Sequence, residues 1–131
     1  LRQLGEEQLG NNRFCISSAD YDDMPSIYRS ADIMASLSDS ESFGIAIMEA
    51  MASGLALVSR DDPIRREVAG ACAYYTKNAD VADIADCLDN ASRYHNPQAS
   101  RDRALEFSHD NMIASYRLLF HEIIDNANNH S

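Results

Sequence analysis

Hydrophobic residues occur along the chain in two patterns. Nearly continuous apolar runs over residues 31–37 and 55–59 are typical of strands covered on both faces of a sheet. Between them, residues 44–53 predict a helix, and Gly54 follows at the position of a C-terminal cap. A strand, a helix and a strand in this order predict a βαβ unit, and therefore a parallel sheet.

The first part of the chain predicts three more elements. Residues 1–9 have the pattern of an amphipathic helix, and residues 13–17 have that of a short strand. A short helix is predicted over residues 24–30, with Asp22 or Asp23 as its N-terminal cap. A helix thus precedes the first predicted strand.

The second half is mainly helical. A helical turn near residues 65–68 and a strand over residues 72–76 come first. Apolar spacing predicts a helix over residues 81–96, a second helix over residues 97–107, and a last helix capped by Ser108. The last helix has a wide apolar stripe that we expect to pack on another surface: Met112, Ile113, Tyr116, Leu119, Phe120 and Ile123.

These elements predict an α/β fold, a Rossmann-like three-layer parallel sheet that lacks its first strands. We expect one domain over residues 1–131, with C-terminal helices from about residue 97 to 127. Because the chain does not begin with Met, we expect it to be part of a longer protein. In the strand order 3-2-1-4-5-6, the missing strands belong between residues 13–17 and 33–37. Open sheet edges invite pairing with another chain, so self-association is predicted.

Charge and cysteine content narrow the possible partners and compartment. The net charge of −10 disfavours nucleic acids and anionic membranes, because both require a basic surface. No apolar run approaches the roughly 18 residues of a membrane span. The three cysteines are far apart, indicate a reducing cytoplasmic compartment, and are interpreted as small core residues: Cys15, Cys72 and Cys87.

Two glutamates flank the start of the helix over residues 44–53, at the end of a predicted parallel strand, where open sheets bind ligands. Glu41 precedes the helix and Glu49 lies more than one turn inside it. If Ser42 caps the helix, free backbone amides at its partly positive end favour a phosphate: those of Phe43, Gly44 and Ile45. Spacing alone would favour a simpler interpretation, an acid beside a helix terminus and an exposed helical glutamate.

The sequence from Glu41 to Gly54, Glu-Ser-Phe-Gly-Ile-Ala-Ile-Met-Glu-Ala-Met-Ala-Ser-Gly, changes that balance. It resembles the donor-binding half of the GT-B glycosyltransferases, specifically glycosyltransferase family 4, in which two glutamates are separated by seven residues. The resemblance is close over residues 25–59 and looser at residues 13–16 and 107–109. It differs from the family at three places: Leu37 stands for a frequent Pro, His109 for Trp, and residues 60–66 lack a frequent Gly-Gly.

The resemblance implies a retaining glycosyltransferase whose donor is a nucleotide-diphosphate sugar, with no metal or other cofactor. Glu41 would be the catalytic residue that contacts the transferred sugar, and Glu49 would bind the ribose hydroxyls. The residues between them would face the sugar and phosphate: Ser42, Phe43, Gly44 and Ile45.

The family's Gly-rich loop, with an Arg and a Lys for the diphosphate, and its acceptor domain both lie upstream of the residues that this chain contains. The resemblance therefore implies that the chain is inactive alone, and that a saccharide, lipid or other acceptor is bound by the missing domain. Two alternatives stay open: a sugar-nucleotide epimerase of the same fold, and a binding domain without turnover.

Other candidates have weaker support. Asp20 and Asp22 form an acid-x-acid motif, but helix capping is the favoured interpretation. The histidines have no partner at metal-ligand spacing: His95, His109, His121 and His130. Three arginines could reach a phosphate, although a solvated loop is favoured: Arg60, Arg65 and Arg66.

Overall fold

A computed structural model of the protein describes residues 2–10 and 12–128. Its helices are α1 (Arg2–Leu9), α2 (Met24–Arg29), α3 (Ile45–Ser53), α4 (Pro63–Ala69), α5 (Val81–Tyr94), α6 (Pro97–Glu106) and α7 (His109–Asn128). Its strands are β1 (Ile33–Ser36), β2 (Ala56–Arg60) and β3 (Ala73–Thr76). Single turns of 3-10 helix cover Tyr21–Asp23 and Gly70–Cys72.

The strands form one parallel sheet in the order β1-β2-β3. Ile33 of β1 lies opposite Ala56 of β2, and Leu57 of β2 lies opposite Ala73 of β3. Helices α3 and α4 make the two crossovers, because parallel neighbours cannot be joined by a tight turn. The predicted βαβ unit and the α/β fold class are confirmed.

Strand β2 supplies the centre of the core to both faces of the sheet. Leu57 packs in a cluster with α3 and α4, whereas Ala56 and Val58 pack in a second cluster with α5. Successive side chains of a strand point to opposite faces, so a strand covered on both sides must be apolar throughout. The run over residues 55–59 is buried, as predicted; β1, at an edge of the sheet, is only partly buried.

Several helix ends are confirmed. Gly54 ends α3 in the left-handed conformation (φ 84°), with its amide bonded to the carbonyl of Met51 at 2.9 Å. The Asn96 side chain accepts hydrogen bonds from the amides of Gln98 and Ala99, so it caps α6 at the predicted boundary. Ser108 Oγ accepts from the amide of Asn111 at 3.4 Å, as expected of a cap for α7.

The prediction of a strand over residues 13–17 is wrong. In the structure this segment is described but is not part of the sheet. It packs on α1 instead: the Phe14 ring fills the space beside Gly5, and Arg2 donates to the carbonyl of Ile16 at 3.4 Å. A strand is stabilised by a hydrogen-bonded neighbour, and here no described strand lies beside the segment.

Two predictions about the first half and the end of the chain also need correction. Neither Asp22 nor Asp23 caps α2 with its side chain. The apolar stripe of α7 does not pack on the described part of the chain, since its six residues are 41% to 59% exposed. None of the described helices has the length and apolarity to cross a bilayer.

Candidate functional site

The loop that joins β1 to α3, residues 37–44, carries Glu41 and is called here the β1–α3 loop. It ends at Gly44, which is the N-terminal cap residue of α3 and has φ 85°. The prediction that Ser42 caps the helix is therefore wrong. A glycine suits this position because other residues adopt a positive φ at a cost.

The side chain of Glu41 lies against the start of α3. A Cβ atom built on Gly44 would come within 3.7 Å of Glu41 Cγ and 3.3 Å of Ile47 Cδ1. One carboxylate oxygen of Glu41 accepts a hydrogen bond from the amide of Ser42 at 3.1 Å. Glu41 is partly buried and its side chain lies beside the N-terminus of α3. Its carboxylate can accept further hydrogen bonds, because only one is made within the described part of the chain.

Backbone amides are available at this helix end. The carbonyl of Gly44 accepts from the amides of Ile47 and Met48, at 2.9 and 3.1 Å. The preceding amides have no hydrogen-bond partner among the described residues: those of Phe43, Gly44, Ile45 and Ala46. The amides of Phe43, Gly44 and Ile45 were predicted as donors. That of Ala46 was not, because the helix was expected to begin near Gly44 and begins at Ile45. An anion is stabilised at such an end.

Glu49 lies on α3, partly buried, and is bonded to Tyr28 of α2. Tyr28 Oη donates to Glu49 Oε2 at 2.9 Å. Burial, together with the bond to the Glu49 carboxylate, raises the pKa of Tyr28 to about 12. A cavity of about 250 Å³ opens beside the pair, lined also by Tyr21, Met24, Pro25, Ala52 and Ser53. The sequence did not predict the role of Tyr28, because the contact spans two helices.

Arg65 is not in a solvated loop, so that prediction is wrong for this residue. Its side chain is 1% exposed and reaches across to the β1–α3 loop. Arg65 Nη2 donates to the carbonyl of Ser38 at 3.0 Å and to its hydroxyl at 2.7 Å, while Nη1 is paired with Asp62. A buried guanidinium requires such partners.

The two neighbouring arginines are also paired. Arg60 forms an ion pair with Asp39, and Arg66 forms one with Asp61. The Arg66 guanidinium lies 4.4 Å from the centre of the Tyr75 ring, and its bond to Asp61 lowers the pKa of that carboxyl. Burial raises the pKa of Tyr75 to about 12. These cations are thus engaged by acids of the chain.

A cavity of about 710 Å³ lies away from Glu41, at the amino ends of β1 and β2. His95 and Arg101 line it and contact the last carbonyls of α3. His95 Nε2 lies 2.9 Å from the carbonyl oxygen of Gly54, and Arg101 donates to the carbonyl of Ser53 at 3.4 Å. The Arg101 cation is stabilising at a helix C-terminus, and the His95 ring is a hydrogen-bond partner of the Gly54 carbonyl, so both side chains serve the fold.

The remaining candidates gain no support as sites. Among residues 2–10 and 12–128, no group of three His, Cys, Asp or Glu could hold a metal ion. Asp20 makes no side-chain capping bond, contrary to prediction, and His130 lies outside the described residues. Cys87 is buried and Cys72 partly buried, but Cys15 is exposed and is not a core residue.

The sheet and its edge loop define a Rossmann-like α/β domain whose candidate site lies beyond the carboxyl end of a strand. The chain belongs to the family Glycosyl transferases group 1, whose profile matches residues 2–104. That range includes the β1–α3 loop and both glutamates and ends before α7. In the same comparisons, no curated protein and no solved structure matched the chain.

Proposed function

We propose that the chain is the donor-binding part of a retaining glycosyltransferase, of the family 4 type, that uses a nucleotide-diphosphate sugar. Membership of Glycosyl transferases group 1 supports glycosyl transfer in general. The observation that carries the finer proposal is the position of the Glu41 side chain beside the unpaired amides at the start of α3.

In this proposal the amides bind the diphosphate and Glu41 binds the sugar. The leaving diphosphate gains negative charge in the transition state, and fixed N–H groups aimed at that charge lower the barrier. The unpaired donors are the amides of Phe43, Gly44 and Ile45, with Ala46 added from the structure, whereas the amide of Ser42 already donates to Glu41. The Glu41 carboxylate would accept from sugar hydroxyls near the reacting carbon, and thereby orient it.

Glu49 is proposed to bind the ribose hydroxyls. Tyr28 engages Glu49 Oε2, which leaves Oε1 for the nucleoside. Binding a hydroxyl through a carboxylate held in one orientation costs less entropy than binding through a free side chain. The cavity between α2 and α3 lies beside this carboxylate.

Neither a metal nor another cofactor is part of the proposal. The arginines close to the β1–α3 loop are paired with acids, so the cations that balance the diphosphate would come from a preceding Gly-rich loop. The acceptor, a saccharide, a lipid or another hydroxyl compound, would be bound by an additional domain. The 131-residue chain alone is then expected to be inactive, in a cytoplasmic protein without nucleic-acid partners.

Isothermal titration of the full-length protein tests the assignment. Glu49→Gln is expected to weaken a nucleoside diphosphate and its sugar conjugate alike, by about tenfold, because both contain the ribose. Glu41→Gln is expected to weaken only the conjugate. Asp86→Asn, on the exposed surface of α5, is the matched control. Unchanged affinities in Glu49→Gln would refute the ribose assignment.

Product analysis separates the transferase from the epimerase alternative. A transferase is expected to consume the nucleotide sugar productively only when an acceptor hydroxyl is present, whereas an epimerase requires no acceptor. Formation of a new nucleotide sugar without acceptor would contradict the proposal. Binding without either product would favour the non-catalytic alternative.

Self-association of the isolated chain remains a prediction. β1 and β3 are the two edge strands of the described sheet, and their outer hydrogen-bonding groups are not used by another described strand. Such edges can pair with a second copy. Light scattering that shows only monomer at high concentration would contradict this.

A further inference from the structure

We propose that Arg65 is a positioning residue that holds the β1–α3 loop, and with it Glu41, at the carboxyl edge of the sheet. Holding the loop is a property of the fold alone. The consequence for the sugar rests on the proposed function, in which Glu41 binds the transferred sugar.

The contacts of Arg65 reach the loop at its first turn. Nη2 donates both to the carbonyl of Ser38, at 3.0 Å, and to its hydroxyl, at 2.7 Å. The arginine side chain is 1% exposed, so water cannot readily replace these acceptors. If Ser38 moved away, a buried cation would lose two of its partners, which is strongly unfavourable. The charge of Arg65 therefore favours one position of the loop.

Arg65 is itself held from two sides. Asp62, the cap of α4, accepts from the Arg65 amide at 3.0 Å and pairs with its guanidinium. Tyr75 of β3 donates to the carbonyls of Arg65 and Gly70, at 3.3 and 2.8 Å. The side chain and backbone of Arg65 thus connect the segments that follow β1 and β2 with β3. The position of the β1–α3 loop is therefore fixed relative to all three strands.

The loop is fixed on both sides of Glu41. Ser38 is bound by Arg65, whereas the ion pair between Asp39 and Arg60 is exposed to solvent and adds little. On the other side, Gly44 begins α3 and is buried. Only a short segment between these points carries Glu41. A small displacement at Ser38 would therefore move the Glu41 carboxylate relative to the amides of α3, and such misplacement reduces productive binding.

Ser38→Ala in the full-length protein tests the inference with little risk to folding. It removes the hydroxyl acceptor at an exposed position, while Arg65 keeps the Ser38 carbonyl and Asp62. Ser40→Ala is the matched control, because Ser40 is an exposed serine of the same loop without a side-chain hydrogen bond among the described residues. Arg65→Lys, which keeps the charge but loses the planar fork, is the stronger variant.

Two readouts are compared. In Ser38→Ala we expect the amide of Ser42, which is bonded to the Glu41 carboxylate, to exchange with deuterium about threefold to tenfold faster than in Ser40→Ala. We also expect affinity for the nucleotide sugar to fall by about threefold to tenfold, and affinity for the free nucleoside diphosphate to fall less, because the amides of Ile45 and Ala46 belong to α3 and not to the loop. Arg65→Lys is expected to enlarge both effects. A structural role alone would lower the two affinities together.

The outcomes distinguish the two proposals. Unchanged exchange in Ser38→Ala would overturn the role of Arg65 while leaving donor binding intact. If the wild-type protein binds no nucleotide sugar, the proposed function fails, and faster exchange would still support the contact between Arg65 and the loop. Faster exchange with an unchanged affinity ratio would overturn the link to Glu41.

Discussion

The two ends of α3 have similar backbone conformations but differ in the hydrogen-bond partners of their terminal groups. Gly44 and Gly54 both have a left-handed φ, 85° and 84°. At the C-terminal end, His95 and Arg101 contact the last carbonyls, so the chain supplies its own partners. At the N-terminal end, four amides have no partner in the described part of the chain. A helix normally satisfies such groups, so the difference marks the end that is available to a ligand.

The largest effect is expected from adding a methyl group at each end. Gly54→Ala should lower the free energy of unfolding by about 2–3 kcal/mol, because the left-handed φ is strained and the new Cβ clashes with Arg101. Gly44→Ala should cost about 1–2 kcal/mol for the same strain. Thermal unfolding of the full-length variants measures both.

Ligand binding should separate these two variants more sharply than stability does. Gly44→Ala is expected to weaken the nucleotide sugar by roughly tenfold, since its Cβ approaches Ile47 and Glu41. Gly54→Ala should leave affinity unchanged at a temperature where both variants are folded. Equal affinities for the two variants would contradict the comparison.

A smaller effect is expected from Tyr28→Phe. Tyr28 belongs to α2, and its partner Glu49 lies in the middle of α3. The variant removes the hydrogen bond to Glu49 Oε2 and should weaken nucleoside diphosphate and nucleotide sugar alike, by about threefold to tenfold. Tyr74→Phe is the matched control, because Tyr74 packs on the opposite face of the sheet with α5. A fall in affinity for the sugar conjugate alone would assign Tyr28 to the sugar instead of the ribose.

Removal of a side chain at the C-terminal end should affect stability slightly and binding not at all. Arg101→Ala loses a partly solvated contact with the Ser53 carbonyl, so we expect a loss of about 0.5–1 kcal/mol. Titration of the variant with the nucleotide sugar should give the wild-type affinity. Weaker binding would mean that the two ends of α3 are coupled.

A last effect is expected only at alkaline pH. The pKa of Tyr28 is raised from 10.0 to about 12, so the folded state holds this proton more tightly than the unfolded state. The corresponding stability is present below pH 10 and is lost as pH rises from 10 to 12. Tyr75 behaves in the same way, so Tyr28→Phe should remove only part of the alkaline fall in the unfolding midpoint.

The parts of the fold set by local patterns could be predicted from the sequence. The apolar run of β2 is buried on both faces, and Gly54 and Asn96 end and begin helices where expected. These features depend on neighbours within a few residues. The segment at residues 13–17 differs, because a strand depends on a neighbouring strand, and none of the strands in the described residues lies beside this segment.

The location of the two glutamates relative to α3 was predicted from the sequence, but their supporting contacts were not. Glu41 and Glu49 flank the start of α3 as expected, although Gly44 and not Ser42 is the cap. Charge composition favoured a solvated Arg65, yet its acceptors come from Ser38, far away in sequence. Hydrogen bonds between distant segments depend on the packed structure. The structural propensities of single residues therefore do not predict them.

The central position of β2 determines how the domain unfolds. Its alternate side chains complete the cluster under α3 and α4 on one face and the cluster under α5 on the other. Loss of either helical layer exposes a strand that the opposite layer also needs. The two layers are therefore expected to melt in a single cooperative transition, with the amides of β2 the last in the domain to exchange.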